Sequence, residues 1–295
     1  RLRTVTGVQT CALPISLDAF VIALDQKTGK ELWRQKAAEW KDGYSMTVAP
    51  QIANGVVITG CSGAEFGARC FLDGWDPETG KHLWRTYTVP APGEKGSDTW
   101  PKDTEAWKTG GAPTWRSGAY DPELDLIYWG TGNPNPDYYG SDRQGDNLYT
   151  CALLALDPDT GQLKWHFQFT PHDLHDWDAN HVPVLSEVNF GGQQKKVVMV
   201  ANRNGFFYVL DRTNGKLLSA KPFVDGVNWA TGIDLKTGMP IEAPGMRVDY
   251  APLCNHALLG ETARRLDPRP RPTAGGVDRR RIAVVGQGLG HDLQN

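Results

Sequence analysis

One phrase recurs along the chain and limits what it can fold into. It runs Ala23-Leu24-Asp25-Gln26-Lys27-Thr28-Gly29-Lys30-Glu31-Leu32-Trp33, and returns as Gly74-Trp75-Asp76-Pro77-Glu78-Thr79-Gly80-Lys81-His82-Leu83-Trp84. A third copy is Ala155-Leu156-Asp157-Pro158-Asp159-Thr160-Gly161-Gln162-Leu163-Lys164-Trp165. The fourth, around Asp211, Thr213, Asn214 and Gly215, lacks the Trp, and a fifth at Asp234, Thr237 and Gly238 is weaker. An apolar run ending at Asp, a Gly suited to positive φ and a second run reaching a large indole read as strand, turn, strand, with the indole at the second strand's end. Asp25 and Asp76 lie 51 positions apart and Asp157 and Asp211 lie 54 apart. Four short strands with their connections fill such an interval, so the pattern is that of a repeat fold, an all-β propeller of low helix content. The longer interval from Asp76 to Asp157 holds an insertion rich in Pro, Gly and Trp between Pro90 and Trp115.

Composition agrees with many turns and large aromatic plugs: 11 Trp and 33 Gly in 295 residues. With 31 basic and 34 acidic residues the net charge is -3, and no Lys/Arg block lies on an aromatic face, which argues against nucleic acid. No apolar run approaches the roughly 18 residues that span a bilayer. The five Cys (11, 61, 70, 151 and 254) show no Cys-x-x-Cys spacing. Cys61 and Cys70 could pair in an oxidising compartment, although small buried thiols are the favoured reading.

Both ends change character. Residues 5–15 back-translate into a sequencing-adapter oligonucleotide, so 1–16 is expected to be an artefact rather than a signal peptide. Beyond Tyr250 there is no Phe, Tyr or Trp, and seven Arg fall between Arg264 and Arg281 among prolines. Residues 251–295 are therefore expected to be a frameshifted stretch or a disordered tail, leaving 17–250 as the propeller. Gly286-Gln287-Gly288-Leu289-Gly290 imitates a dinucleotide loop, but no helix or acidic partner follows it.

Several polar residues stand just past apolar runs, where a reversing chain can aim a side chain. Glu65 follows 55–60 and is flanked by Gly63 and Gly67, which allow close backbone approach to a ligand, though a loop Glu is most often a solvated charge. Asn133 follows 126–132 and precedes Pro134, where a plain turn role also suits it. Trp115 ends Gly110-Gly111-Ala112-Pro113-Thr114-Trp115 and would by itself be assigned to the core. His172, His175 and His181 share a segment with Asp173, Asp176 and Asp178, but the spacing is not that of a helical zinc site and Pro171 favours a loop.

Together with the Asp-x-x-Thr-Gly-x-x-x-Trp phrase, these motifs resemble the pyrroloquinoline quinone-dependent alcohol dehydrogenases over roughly residues 17–245. The resemblance implies an eight-bladed propeller whose tryptophans dock between blades, with about four blades present here and no activity from this stretch alone. It implies Glu65 and Asn133 as Ca²⁺ ligands, which suits their oxygen donors. Thr47, Ser62, Gly63 and Ala64 match positions contacting the quinone, Trp115 its stacking floor, and Arg203 the partner of its reactive oxygens. Asp178 matches the catalytic base, with Asp176 and His175 as supporting residues. In lanthanide-using members a second Asp sits two positions after that base; Asn180 here implies Ca²⁺. The implied reaction is oxidation of a primary alcohol to an aldehyde, with electrons passed to a cytochrome c in the periplasm. Two other readings stand beside it: a cofactor-free propeller scaffold of the outer-membrane assembly type, and a quinone-dependent sugar or aldehyde dehydrogenase.

Overall fold

The computed structural model describes residues 16–245; the expectations for the two ends, including the glycine-rich 286–290, lie outside them. Three four-stranded antiparallel meanders follow one another. The first comprises β3 (Gln51–Ala53), β4 (Val56–Gly60), β5 (Phe71–Trp75) and β6 (His82–Tyr87). The second comprises β7 (Ala119–Asp121), β8 (Leu126–Gly130), β9 (Ala152–Leu156) and β10 (Leu163–Gln168). The third comprises β11 (Val184–Phe190), β12 (Gln193–Ala201), β13 (Phe206–Asp211) and β14 (Leu217–Pro222). Hairpins precede and follow them: β1 (Phe20–Leu24) with β2 (Glu31–Lys36), and β15 (Ala230–Ile233) with β16 (Pro240–Glu242). Helix among the described residues is confined to short 3-10 segments. These are propeller blades: among the described residues three are complete and two are represented by two strands each.

The repeated phrase builds the turn joining a blade's third and fourth strands. Asp76 Oδ1 accepts the amides of Glu78 and Thr79 and the Thr79 hydroxyl, at 3.1, 2.8 and 2.8 Å, and Asp25 and Asp157 do the same. Gly29, Gly80 and Gly161 take φ near 70° (69°, 71° and 69°), which an L side chain resists. The indoles stand elsewhere than expected. Trp33, Trp84 and Trp165 are each the third residue of a six-residue strand, not its last.

Each of these indoles lands on the next blade's turn. A Cβ on Gly80 would lie 2.6 Å from Trp33, one on Gly161 2.3 Å from Trp84, and one on Gly215 2.5 Å from Trp165. Glycine is thus required twice over, for its φ and for the ring above it. Trp33 donates its N–H to the Pro77 carbonyl at 2.9 Å and Trp84 to that of Pro158 at 3.0 Å. Trp165 breaks the series. In the fourth turn the equivalent carbonyl belongs to Arg212 and accepts the Tyr128 hydroxyl at 2.8 Å, while Trp165 Nε1 is buried with no partner among the described residues.

The cores lie between blades rather than within them. Ile58, Leu72 and Trp84 of the first complete blade meet Ile127, Trp129 and Leu154 of the second. Tyr128, Leu153 and Phe169 then meet Val198, Tyr208 and Leu210 of the third. In an antiparallel meander alternate connections fall on opposite ends. The Asp-Thr-Gly turns therefore share one end, and the β4–β5, β6–β7, β8–β9, β10–β11 and β12–β13 connections share the other. Every residue of the implied site except Thr47 sits in one of those connections, and Thr47 lies in β2–β3, which opens on the same end.

Candidate active site

Asp178 lies in the β10–β11 connection. It is 7% exposed, and its carboxylate has one partner on each oxygen: the Asn133 amide N–H on Oδ1 and Arg203 Nη1 on Oδ2, both at 3.3 Å. Three connections (β8–β9, β10–β11 and β12–β13) thus converge on one carboxylate. The backbone beneath is stitched by Ala179 N–H to Thr131 O at 3.1 Å and Gly132 N–H to Pro113 O at 2.8 Å. Gly132 has no room for a side chain, because a Cβ would lie 2.2 Å from Asp178 Oδ1.

Burial, and then the charge of Asp176, push the Asp178 carboxyl up to about 6, against the pull of the Asn133 N–H and Arg203. A carboxylate so tuned sits in the range that suits a general base near neutral pH. Glu65 adds to the upward push, which puts it within electrostatic reach. A cation seated among these groups would reverse part of that shift.

Asn133 is fully buried. Its Nδ2 donates to Pro134 O at 3.0 Å and to Asp137 Oδ1 at 2.5 Å, while its Oδ1 has no partner among the described residues. A buried carbonyl-type oxygen calls for a donor or a cation, so the amide fits the ligand role the resemblance implies. Glu65 occupies a 3-10 turn (Ala64–Phe66) and is exposed. Gly63 and Gly67 flank it with φ of 123° and 77°, and Gly63 is also required by the chain's own packing. A Cβ there would lie 2.0 Å from the Gly43 carbonyl oxygen.

The other implied cofactor contacts lie in neighbouring connections at the same end. Thr47 and Ser62 share a hydroxyl–hydroxyl hydrogen bond, and Ser62 is held by paired backbone bonds to Ser45 at 2.8 and 3.1 Å. Ala64 is buried beside Glu65. Trp115 is half-buried with the Arg116 guanidinium 5.0 Å from its ring centre, and Thr114 before it bonds Cys61 in both directions at 2.8 and 2.9 Å. Arg203 is 46% exposed at its side chain, so part of its fork is open beside the Asp178 contact.

The His/Asp segment does not close on itself. His172 Nδ1 meets the Gly145 carbonyl at 2.7 Å, and His175 stacks on Trp177 at 4.0 Å and 8°. Asp173 carries the turn instead, accepting the amides of His175 at 3.1 Å and Trp177 at 2.9 Å. No three His, Cys, Asp or Glu side chains group as a metal site among the described residues. Any cation here would draw on the Asn133 oxygen, the Glu65 carboxylate and the cofactor. Cys61, Cys70 and Cys151 are buried free thiols, so Cys61 and Cys70 are not bridged.

Two residues of the site escape a reading of the sequence. Asp137, raised to about 7 by burial and by the charges of Asp176 and Glu65, takes the Asn133 amide. Arg143 is fully buried behind it. Their only sequence signal is proximity to Asn133, which a turn explains equally well.

One end of the propeller thus gathers a buried carboxylate, a buried amide oxygen with no partner among the described residues and a partly exposed guanidinium. The family model for the glucose/ethanol/alcohol dehydrogenase β-propeller domain, of the pyrroloquinoline quinone type, matches residues 36–220. Quinohemoprotein alcohol dehydrogenase ADH IIB of Pseudomonas putida is 49% identical over 250 residues, covering 81% of this chain and 36% of the relative. Quinoprotein alcohol dehydrogenase PedH of Pseudomonas putida is 48% identical over 275 residues, covering 83% and 44%. A solved europium-containing methanol dehydrogenase superposes with a TM-score of 0.73 at 39% identity, over 78% of this chain and 42% of that one. The chain belongs to the pyrroloquinoline quinone-dependent alcohol dehydrogenases. It spans less than half the length of each of these relatives.

Proposed function

We propose that the whole protein oxidises a primary alcohol to its aldehyde in the periplasm, using pyrroloquinoline quinone and Ca²⁺ and passing electrons to a cytochrome c. One observation carries this reading: a buried carboxylate touches both the residue with the orphaned amide oxygen and a half-exposed guanidinium. Asp178, the buried carboxylate of the site, takes the hydroxyl proton. Arg203 steadies the ionised carboxylate and offers its remaining donors to oxygen that gains charge on reduction. Glu65 and Asn133 hold the cation, Trp115 the planar ring system, and Thr47, Ser62, Gly63 and Ala64 its polar edge. The quinone, when bound, supplies the two-electron acceptor and the cation the Lewis acid.

The choice of Ca²⁺ rests on Asn180. It is 2% exposed, two positions after Asp178, and adds no charge where a trivalent ion would gain from a carboxylate. Reconstitution of the full-length protein with quinone and either Ca²⁺ or La³⁺, followed by alcohol-dependent dye reduction, tests the reading. Activity with Ca²⁺ is expected. Activity with La³⁺ alone would refute the metal assignment, and none with either would refute the function.

A further inference from the structure

Arg143 closes the 3-10 turn Ser141–Arg143 and is 0% exposed, yet each hydrogen bond from its guanidinium goes to a neutral acceptor. Nε donates to Pro136 O at 3.0 Å and Nη1 to Asn147 Oδ1 at 2.9 Å. Nη2 donates to Asp137 O at 3.3 Å and to Asp173 O at 2.6 Å. Asn147 answers with Nδ2 to the Arg143 carbonyl at 2.6 Å. Burying the cation is costly, a cost that the nearby charges of Asp173 and Asp137 offset only in part, and an unbranched apolar side chain would fill the same space without it. What the apolar chain lacks is a rigid fork able to tie several strands of backbone together.

The backbone that Arg143 ties is that of the site. Pro136 and Asp137 end the run that begins at Asn133, and the Asp137 carboxylate takes the Asn133 amide at 2.5 Å. Asp173 opens the run that ends at Asp178, and its carboxylate takes the Trp177 amide at 2.9 Å, one residue before Asp178. The same nitrogen, Nη2, therefore stands one hydrogen-bonded step from the holder of Asn133 and one from the holder of Asp178.

We propose that Arg143 is a positioning residue that holds the 133–137 and 173–178 segments at the spacing where the Asp178 carboxylate meets Asn133. The proposal rests on Asp178 and Asn133 acting as base and ligand in the function set out above. Displacement of a reacting group by about 1 Å can cost 100-fold in rate, so a clamp of this kind has a kinetic consequence without touching substrate.

The test compares Arg143→Met and Arg143→Lys with the parent in the full-length protein. Hydrogen exchange is read without quinone or metal on peptides covering 133–137, 173–178 and strands β8 and β9; turnover is read after reconstitution. Arg143→Met is expected to speed exchange in both site segments at least about tenfold, with β8 and β9 unchanged, and to lower kcat by about 10- to 100-fold at saturating alcohol and quinone. Arg143→Lys, with three donors but no fork, should fall between. Unchanged exchange and kcat in Arg143→Met would overturn the proposal, as would equal acceleration in β8 and β9, which marks a general brace. If Arg143→Met does not fold, Arg143→Lys decides: lowered kcat at parental melting supports the clamp, and parental kcat overturns it. Asp178→Asn run alongside separates the two claims. Full turnover in that variant would sink the assignment of the base, while the exchange data would still judge the clamp.

Discussion

Two tryptophans in equivalent positions should respond oppositely to the same substitution. Trp84 is 9% exposed, lies over Gly161 and donates to the buried Pro158 carbonyl at 3.0 Å. Trp84→Phe keeps a ring in place but leaves that carbonyl without its donor, which costs about 1–3 kcal/mol, and the smaller ring loses about 1 kcal/mol of burial. Trp165, only partly buried, loses no more ring burial in Trp165→Phe, but its N–H is a buried donor with no partner among the described residues. Removing it returns about 1–3 kcal/mol of desolvation and offsets the packing loss. The expected outcome is a cost of roughly 2–4 kcal/mol for Trp84→Phe and near zero, or slight stabilisation, for Trp165→Phe. Urea unfolding of the full-length variants, read as a shift in midpoint at constant slope, measures both. Equal costs in the two would refute the docking account, because the hydrogen bond would then carry no weight.

The remaining expectations concern charge. Burial raises the Asp121 carboxyl, but the Arg212 fork at 2.6 Å and the amides of Glu123 and Leu124 outweigh it and hold the group below its usual range. A depressed folded value means stability that is full above the ordinary carboxylate range near pH 4 and is lost as pH falls through the lower folded value. Asp121→Asn should therefore flatten the acid limb of a melting-temperature profile below about pH 4; an unchanged limb would show that other groups set it. Glu65→Gln should weaken metal binding first, with activity partly restored at high Ca²⁺. A turnover defect that saturating Ca²⁺ leaves untouched would place Glu65 outside the metal shell.

The blades were legible because their signal is local. An Asp that caps the next amides and a Gly at positive φ are complete within five residues, so each copy reports its own turn. The landing place of the indole was not legible, since Trp33 meets Pro77 and Trp84 meets Pro158 across a whole blade. A second reason for glycine at position 63 is equally hidden from the sequence. Its missing side chain makes room for the Gly43 carbonyl, a neighbour that only the folded chain supplies. Glu65, Asn133, Asp178 and Arg203 were found through family resemblance, and the structure gathers the last three into direct contact. Asp137 and Arg143 carry no motif, because their part in the site comes from two connections meeting in space.

The role of Asp178 bears the whole functional account, and Asp178→Asn in the full-length protein tests it most directly. The amide keeps the size and hydrogen-bonding reach of the carboxylate but cannot accept the proton. Quinone and metal should still bind, followed by absorbance, while dye-coupled alcohol oxidation falls by about 10² to 10⁴-fold, the usual worth of a general base. Retention of near-parental turnover would contradict the account and move the base elsewhere, with Asp176, half-buried and itself raised by burial, as the next carboxylate in line.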